Sequence, residues 1–83
     1  MLITLYSTEG CHLCEQAYSL LAEVGVQDNV DVVDIAFDDA LFSRYGVTIP
    51  VLSIQHHEDN VSELGWPFDI ETLQTWLTTN KLG

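Results

Sequence analysis

Leu2-Ile3-Thr4-Leu5-Tyr6 is a short apolar run rich in strand formers, and the polar Ser7-Thr8-Glu9-Gly10 that follows reads as a loop. From Leu13 the apolar positions Leu13, Ala17, Leu20, Leu21 and Val24 step by four, three, one and three, which places them on one face of an amphipathic helix closed near Gly25. Val30-Asp31-Val32-Val33-Asp34-Ile35 predicts a second strand. Because a helix separates it from the first, the two should lie parallel and be joined by a right-handed crossover. Asp38 or Asp39 is expected to cap a short helix carrying Leu41, Phe42 and Tyr45, with Gly46 as its stop. In the run Val47-Thr48-Ile49-Pro50-Val51-Leu52-Ser53-Ile54 a third strand is expected to open at Pro50, since proline is tolerated as a first strand residue, where its missing N–H breaks no interior ladder. His56-His57-Glu58-Asp59-Asn60 is expected as a polar turn leading into a fourth strand, Val61-Ser62-Glu63-Leu64, which Gly65-Trp66-Pro67 ends. Asp69 is a natural N-cap for a last helix whose apolar side carries Ile70, Leu73, Trp76 and Leu77.

The order strand, helix, strand, helix, strand, strand, helix (β-α-β-α-β-β-α) implies an α/β fold. A four-stranded mixed sheet with helices on both faces uses every apolar stripe. Eighty-three residues, 47% of them hydrophobic, suffice for one domain spanning 1-83 with an adequate core. The apolar runs are too short to span a membrane, and Met1-Leu2-Ile3-Thr4 has no basic leader, so a cytoplasmic monomer is expected. Thirteen acidic residues against two basic ones, Arg44 and Lys81, give a net charge of −11. That field repels phosphate backbones and anionic lipid, which removes nucleic acid and membrane as partners. The charge serves solubility or steers a basic protein partner.

Candidate chemistry centres on Cys11-His12-Leu13-Cys14, which holds both cysteines of the chain where the first strand turns into the first helix. The leading sulfur would meet unsatisfied helix N–H groups and the positive end of the helix dipole, both of which favour thiolate. In a reducing compartment such a pair is catalytic or metal-binding rather than a structural staple. A zinc site normally takes four ligands, and only two cysteines exist. Cys11 is therefore the expected nucleophile and Cys14 the resolving thiol. His12 either shares positive charge with the thiolate or faces solvent in the first turn. Glu9 and Glu15 would oppose deprotonation by like-charge repulsion.

With Cys11-x-x-Cys14 after the first strand, Thr48-Ile49-Pro50 before the third, and Gly65 followed by Asp69 at the last helix, the chain resembles the glutaredoxin-like branch of the thioredoxin fold. The resemblance implies a small thiol-disulfide oxidoreductase acting on protein or low-molecular-weight disulfides. It implies a cis bond between Ile49 and Pro50, with Pro50 against the dithiol and the Ile49 main chain pairing with an extended substrate. His12, Thr48 and Gly65 complete the expected substrate site. No resident cofactor is expected, and glutathione is a candidate co-substrate. The spacer here is His12-Leu13 rather than the Pro-Tyr common in glutaredoxins, and Arg44 is the one obvious cation for glutathione carboxylates. An alternative from another class is a binding module in which Cys11 of two copies holds an iron–sulfur cluster. A third is an adaptor that keeps the fold without turnover.

Other constellations carry less. At about 3.3 Å per residue, His56 and His57 would end roughly 17 Å from the Pro50 edge, too far to form a metal site with the cysteines, so no metal site is expected. Tyr6, Trp66 and Phe68 either rim the dithiol or finish the core. Ser19, Ser43 and Ser53 have no His and acid arranged near them for a hydrolase triad, and no glycine-rich phosphate loop is present.

Overall fold

Alternation of burial along Ile3–Ser7 makes this segment strand β1: Ile3 and Leu5 point into a sealed face, while Thr4 and Tyr6 lie half-buried on the other. The computed structural model describes residues 2–57 and 60–80. Helix α1 spans His12–Glu23 and β2 spans Val30–Asp34. Helix α2 follows at Asp39–Tyr45, then β3 at Val51–His57, β4 at Asn60–Gly65 and helix α3 at Ile70–Thr79. The sheet order is β2-β1-β3-β4, with β1 parallel to β2 and the other neighbours antiparallel. The expected mixed four-stranded sheet is therefore the one observed.

The two faces of the sheet are filled unequally. Ile3 and Leu5 of β1 and Leu52 and Ile54 of β3 pack against Ala17 and Leu21 of α1 and Leu73 and Leu77 of α3. The opposite face carries a smaller cluster in which Ile35, Tyr45 and Val51 are joined by Tyr6, Leu41 and Ile49 beneath α2. Burying one such aliphatic side chain contributes about 1.5–3 kcal/mol, so the α1–α3 face dominates the packing energy.

Caps hold the helices where the sequence places them. The Asp38 carboxylate accepts from the Ala40 and Leu41 N–H groups at 2.9 and 3.1 Å, and Asp69 accepts from Thr72 N–H at 2.8 Å. Three boundaries differ from expectation. The second strand stops at Asp34, because its carboxylate accepts from Ala36 N–H at 2.9 Å and draws Ile35–Phe37 into a 3₁₀ turn. The third strand, expected to open at Pro50, opens one residue later at Val51, and just before it the Thr48 and Ile49 N–H groups donate to the Tyr45 carbonyl at 2.9 and 3.0 Å. At the hairpin, where residues 56–60 are expected as a turn, β3 runs on to His57 and β4 begins at Asn60; Glu58 and Asp59 lie outside the described residues. A further 3₁₀ turn, Gln27–Asn29, precedes β2 in a stretch whose pattern predicts no element.

Leu52 is fully buried opposite Leu5. Leu52→Ala should destabilise the protein by about 2–5 kcal/mol, read as a lower urea midpoint at unchanged slope.

Candidate functional site

The route from β1 into α1 is a tight turn. Gly10 adopts φ +80°, a conformation glycine takes without steric cost, and Cys11 N–H donates back to the Thr8 carbonyl at 3.3 Å. Cys11 then serves as N-cap of α1: its sulfur accepts from Cys14 N–H at 3.2 Å, in place of the usual hydroxyl or carboxylate. The two cysteines form a disulfide with their Cα atoms 5.3 Å apart. Cys11 is half-buried whereas Cys14 is buried. A cleft of about 350 Å³ opens beside the dithiol, bordered by Glu9, Glu15, Tyr18 and Val32.

The remaining candidates are distributed around this end of the sheet. His12 and Glu15 are both well exposed in the first turn of α1, with His12 Nδ1 3.6 Å from Glu15 Oε2. Tyr6 pairs with Val51 in the β1–β3 register, so Pro50 and Ser7 lie one step further toward the same edge, the edge from which the Thr8–Gly10 loop reaches Cys11. The Ile49–Pro50 bond is cis, as is Trp66–Pro67. Pro50 is fully buried, and its carbonyl accepts from Trp66 N–H at 3.2 Å. Thr48 is exposed, and its hydroxyl donates to the Tyr45 carbonyl at 3.3 Å. The Ile49 N–H is likewise spent on Tyr45, so only its carbonyl is available to an extended chain. Gly65 ends β4 opposite Val51, exposed, with open space where a side chain would project. Phe68 is buried and Trp66 half-buried; their rings meet edge to face at 5.0 Å. Among the described residues no group of three or more His, Cys, Asp and Glu side chains converges as a metal site. β3 leads away from the Pro50 edge to His57, and the side chains of His56 and His57 lie outside the described residues.

A network absent from the sequence reading supports the Pro50 segment. Tyr45, the last residue of α2, stacks on Tyr6 with ring centroids 4.3 Å apart, and its hydroxyl donates to Glu63 Oε2 on β4. The Arg44 guanidinium lies 5.3 Å from the centre of the Tyr45 ring and 3.8 Å from Glu63 Oε1. With its carbonyl holding Thr48 and Ile49, Tyr45 anchors the chain just before Pro50 at both of its ends. Burial, the hydrogen bond to Glu63 and that carboxylate's charge push the Tyr45 phenol up to about 12. The sequence signal was confined to one apolar helical position; nothing near Tyr45 in the chain points to Glu63.

Comparison with known proteins agrees with the fold. The chain matches the family model of the glutaredoxin-like domain (DUF836) over residues 2–78. It is similar to the X-ray structure of a structural-genomics target protein from X. campestris, at 40% identity and a TM-score of 0.79, covering 93% of this chain and 96% of that one. The solution structure of the X. campestris target gives 41% identity and a TM-score of 0.75, covering 95% of each chain. Thioredoxin 1 from Thermosipho africanus shares the fold at 17% identity, with a TM-score of 0.57 over 98% of this chain and 99% of that one. No curated protein matches the chain.

Two measurements test the geometry. After reduction, Cys11 should alkylate at neutral pH about tenfold or more faster than Cys14, resolved by mass spectrometry of the labelled peptides. The phenol of Tyr45 is held neutral in the fold above its ordinary value near 10.0. Its contribution to stability is therefore full below about pH 10 and is lost as pH rises toward about 12. Urea midpoints of the parent should fall more steeply across that window than those of Tyr45→Phe.

Proposed function

The chain belongs to the glutaredoxin-like domain family (DUF836), and on that premise we propose that it is a thiol–disulfide oxidoreductase that reduces disulfides through Cys11 and Cys14. The observation that carries this reading is the asymmetric dithiol: an accessible sulfur at a helix N-terminus bonded to a buried one three residues on.

In the reduced enzyme the Cys11 thiolate attacks one sulfur of the partner disulfide, forms a mixed disulfide and releases the other partner sulfur as thiolate, which takes up a proton from water. Cys14 loses its proton and attacks Cys11 Sγ, which breaks the mixed bond and frees the second partner thiol. Two electrons pass to the partner, and the enzyme is left with the Cys11–Cys14 disulfide. A thiol or dithiol donor then returns two electrons, and glutathione is one candidate for that role. The helix N-terminus stabilises the Cys11 thiolate both as nucleophile and as leaving group. The Ile49 carbonyl would receive an N–H of an extended substrate, with Thr48, Gly65 and His12 bordering it, and Pro50 would seal the floor of that site. No resident cofactor enters these steps, a monomer suffices for them, and a reducing compartment such as the cytoplasm suits them. No helix among the described residues is long and apolar enough to cross a membrane.

Cys11→Ser should abolish disulfide reduction. Cys14→Ser should retain attack but accumulate mixed disulfides, seen as adducts on non-reducing gels. Undiminished turnover in Cys11→Ser would refute the assignment.

A further inference from the structure

On the side of α1 away from the dithiol cleft lies a second opening, a groove of about 640 Å³ between α1 and the start of α3. Its walls are Gln16, Ser19 and Leu20 of α1 together with Trp66, Phe68 and Glu71. This volume is in the range of ligand sites, and the surface within is largely apolar, with the edge-to-face pair of Trp66 and Phe68 against Leu20. The charged side chains at the groove are those of Asp69 and Glu71, both acidic. Among the described residues no lysine or arginine lines it.

Trp66 ties this groove to the dithiol end of the sheet. Its backbone N–H donates to the Pro50 carbonyl at 3.2 Å while the residue lines the groove. A chain seated in the groove and continuing past Trp66 thus arrives at the Pro50 edge. The cleft on the other side of α1 adds Glu9 and Glu15, so carboxylates flank both approaches to Cys11. Among the described residues neither opening is lined by lysine or arginine, and Arg44 lies by Glu63 and the Tyr45 ring.

The geometry points to the α1–α3 groove as a docking surface for a basic segment of a disulfide-bearing polypeptide. One aliphatic or aromatic side chain of the partner sits against Trp66 and Phe68, and neighbouring Lys or Arg side chains face Asp69 and Glu71. Charge complementarity selects this occupant. A net charge of −11 raises the encounter rate of cations, whereas an anionic peptide meets repulsion from the field and from both rims. The docking surface deepens the thiol–disulfide reading, on which the destination of the bound segment rests.

Binding is measured without turnover, so the two readings fail separately. Two cysteine-free peptides share one central leucine and differ in carrying lysines or glutamates around it. Each is titrated into the oxidised protein, with indole fluorescence and backbone chemical shifts as readouts. The lysine peptide should bind at least about tenfold tighter at low ionic strength, with shifts centred on Ser19, Leu20 and Trp66–Glu71, and the advantage should collapse at high salt. Ser19→Arg, which introduces a cation and fills the groove, should weaken that binding at least about fivefold, and Glu71→Lys should do so through charge alone. Equal affinity for the two peptides, or affinity unchanged in Ser19→Arg, overturns the assignment. In parallel, reduction of a small neutral disulfide reports on the dithiol alone. Turnover of it without selective peptide binding rejects only the docking surface, and selective binding without turnover rejects only the reductase reading.

Discussion

The pairing of Leu5 with Leu52 and of Tyr6 with Val51 is the constraint from which the rest of the molecule follows. In a strand the side chains alternate between faces, so a slip of one residue between β1 and β3 would bring Tyr6 to the face where Leu5 packs against α1 and α3. Burial of Ile3, Leu5, Leu52 and Ile54 on one face therefore fixes the register. The same register also decides where the chemistry lies. Ser7 and Pro50 emerge at a common edge, one leading into the dithiol turn and the other closing the loop from α2.

The two faces of the sheet divide their tasks. The larger cluster beneath α1 and α3 supplies most of the apolar burial and holds α1 against the sheet, so that Cys14 is sealed while Cys11 stays accessible at the helix end. The smaller cluster beneath α2 is built around Tyr45, whose ring, hydroxyl and carbonyl each have a partner. That residue converts the end of a seven-residue helix into a fixed support for Ile49 and Pro50. A chain of this size cannot afford a second large core, and a few directed hydrogen bonds around one aromatic residue serve instead.

The order of elements, the mixed sheet and the dithiol were legible because each rests on local signals: the 4-3-1-3 apolar spacing of α1, the aspartate caps at Asp38 and Asp69, and two cysteines at a strand-to-helix junction. A boundary failed where a side chain competes for backbone donors. The Asp34 carboxylate ends β2 early. Ile35 retains strand-like character, so apolar pattern alone could not separate it from the strand. The contact between Tyr45 and Glu63 was invisible for a different reason. It joins residues 18 apart in sequence across two elements, and it exists only once β3 and β4 have paired. The α1–α3 groove was likewise hidden, since Leu20 reads as a core position and Trp66 and Phe68 as dithiol rim or core until their neighbours are placed around them.

The sheet leaves β2 and β4 as its outermost strands, each with one row of backbone donors and acceptors facing away from its neighbour. β2 carries Asp31 and Asp34 there, and β4 carries Glu63. A second molecule adding to either border in antiparallel fashion would bring carboxylates near carboxylates, a repulsive arrangement across strands. The acidity of the chain thus protects its own open margins, discouraging the edge-to-edge growth that ends in fibrils when the protein is crowded.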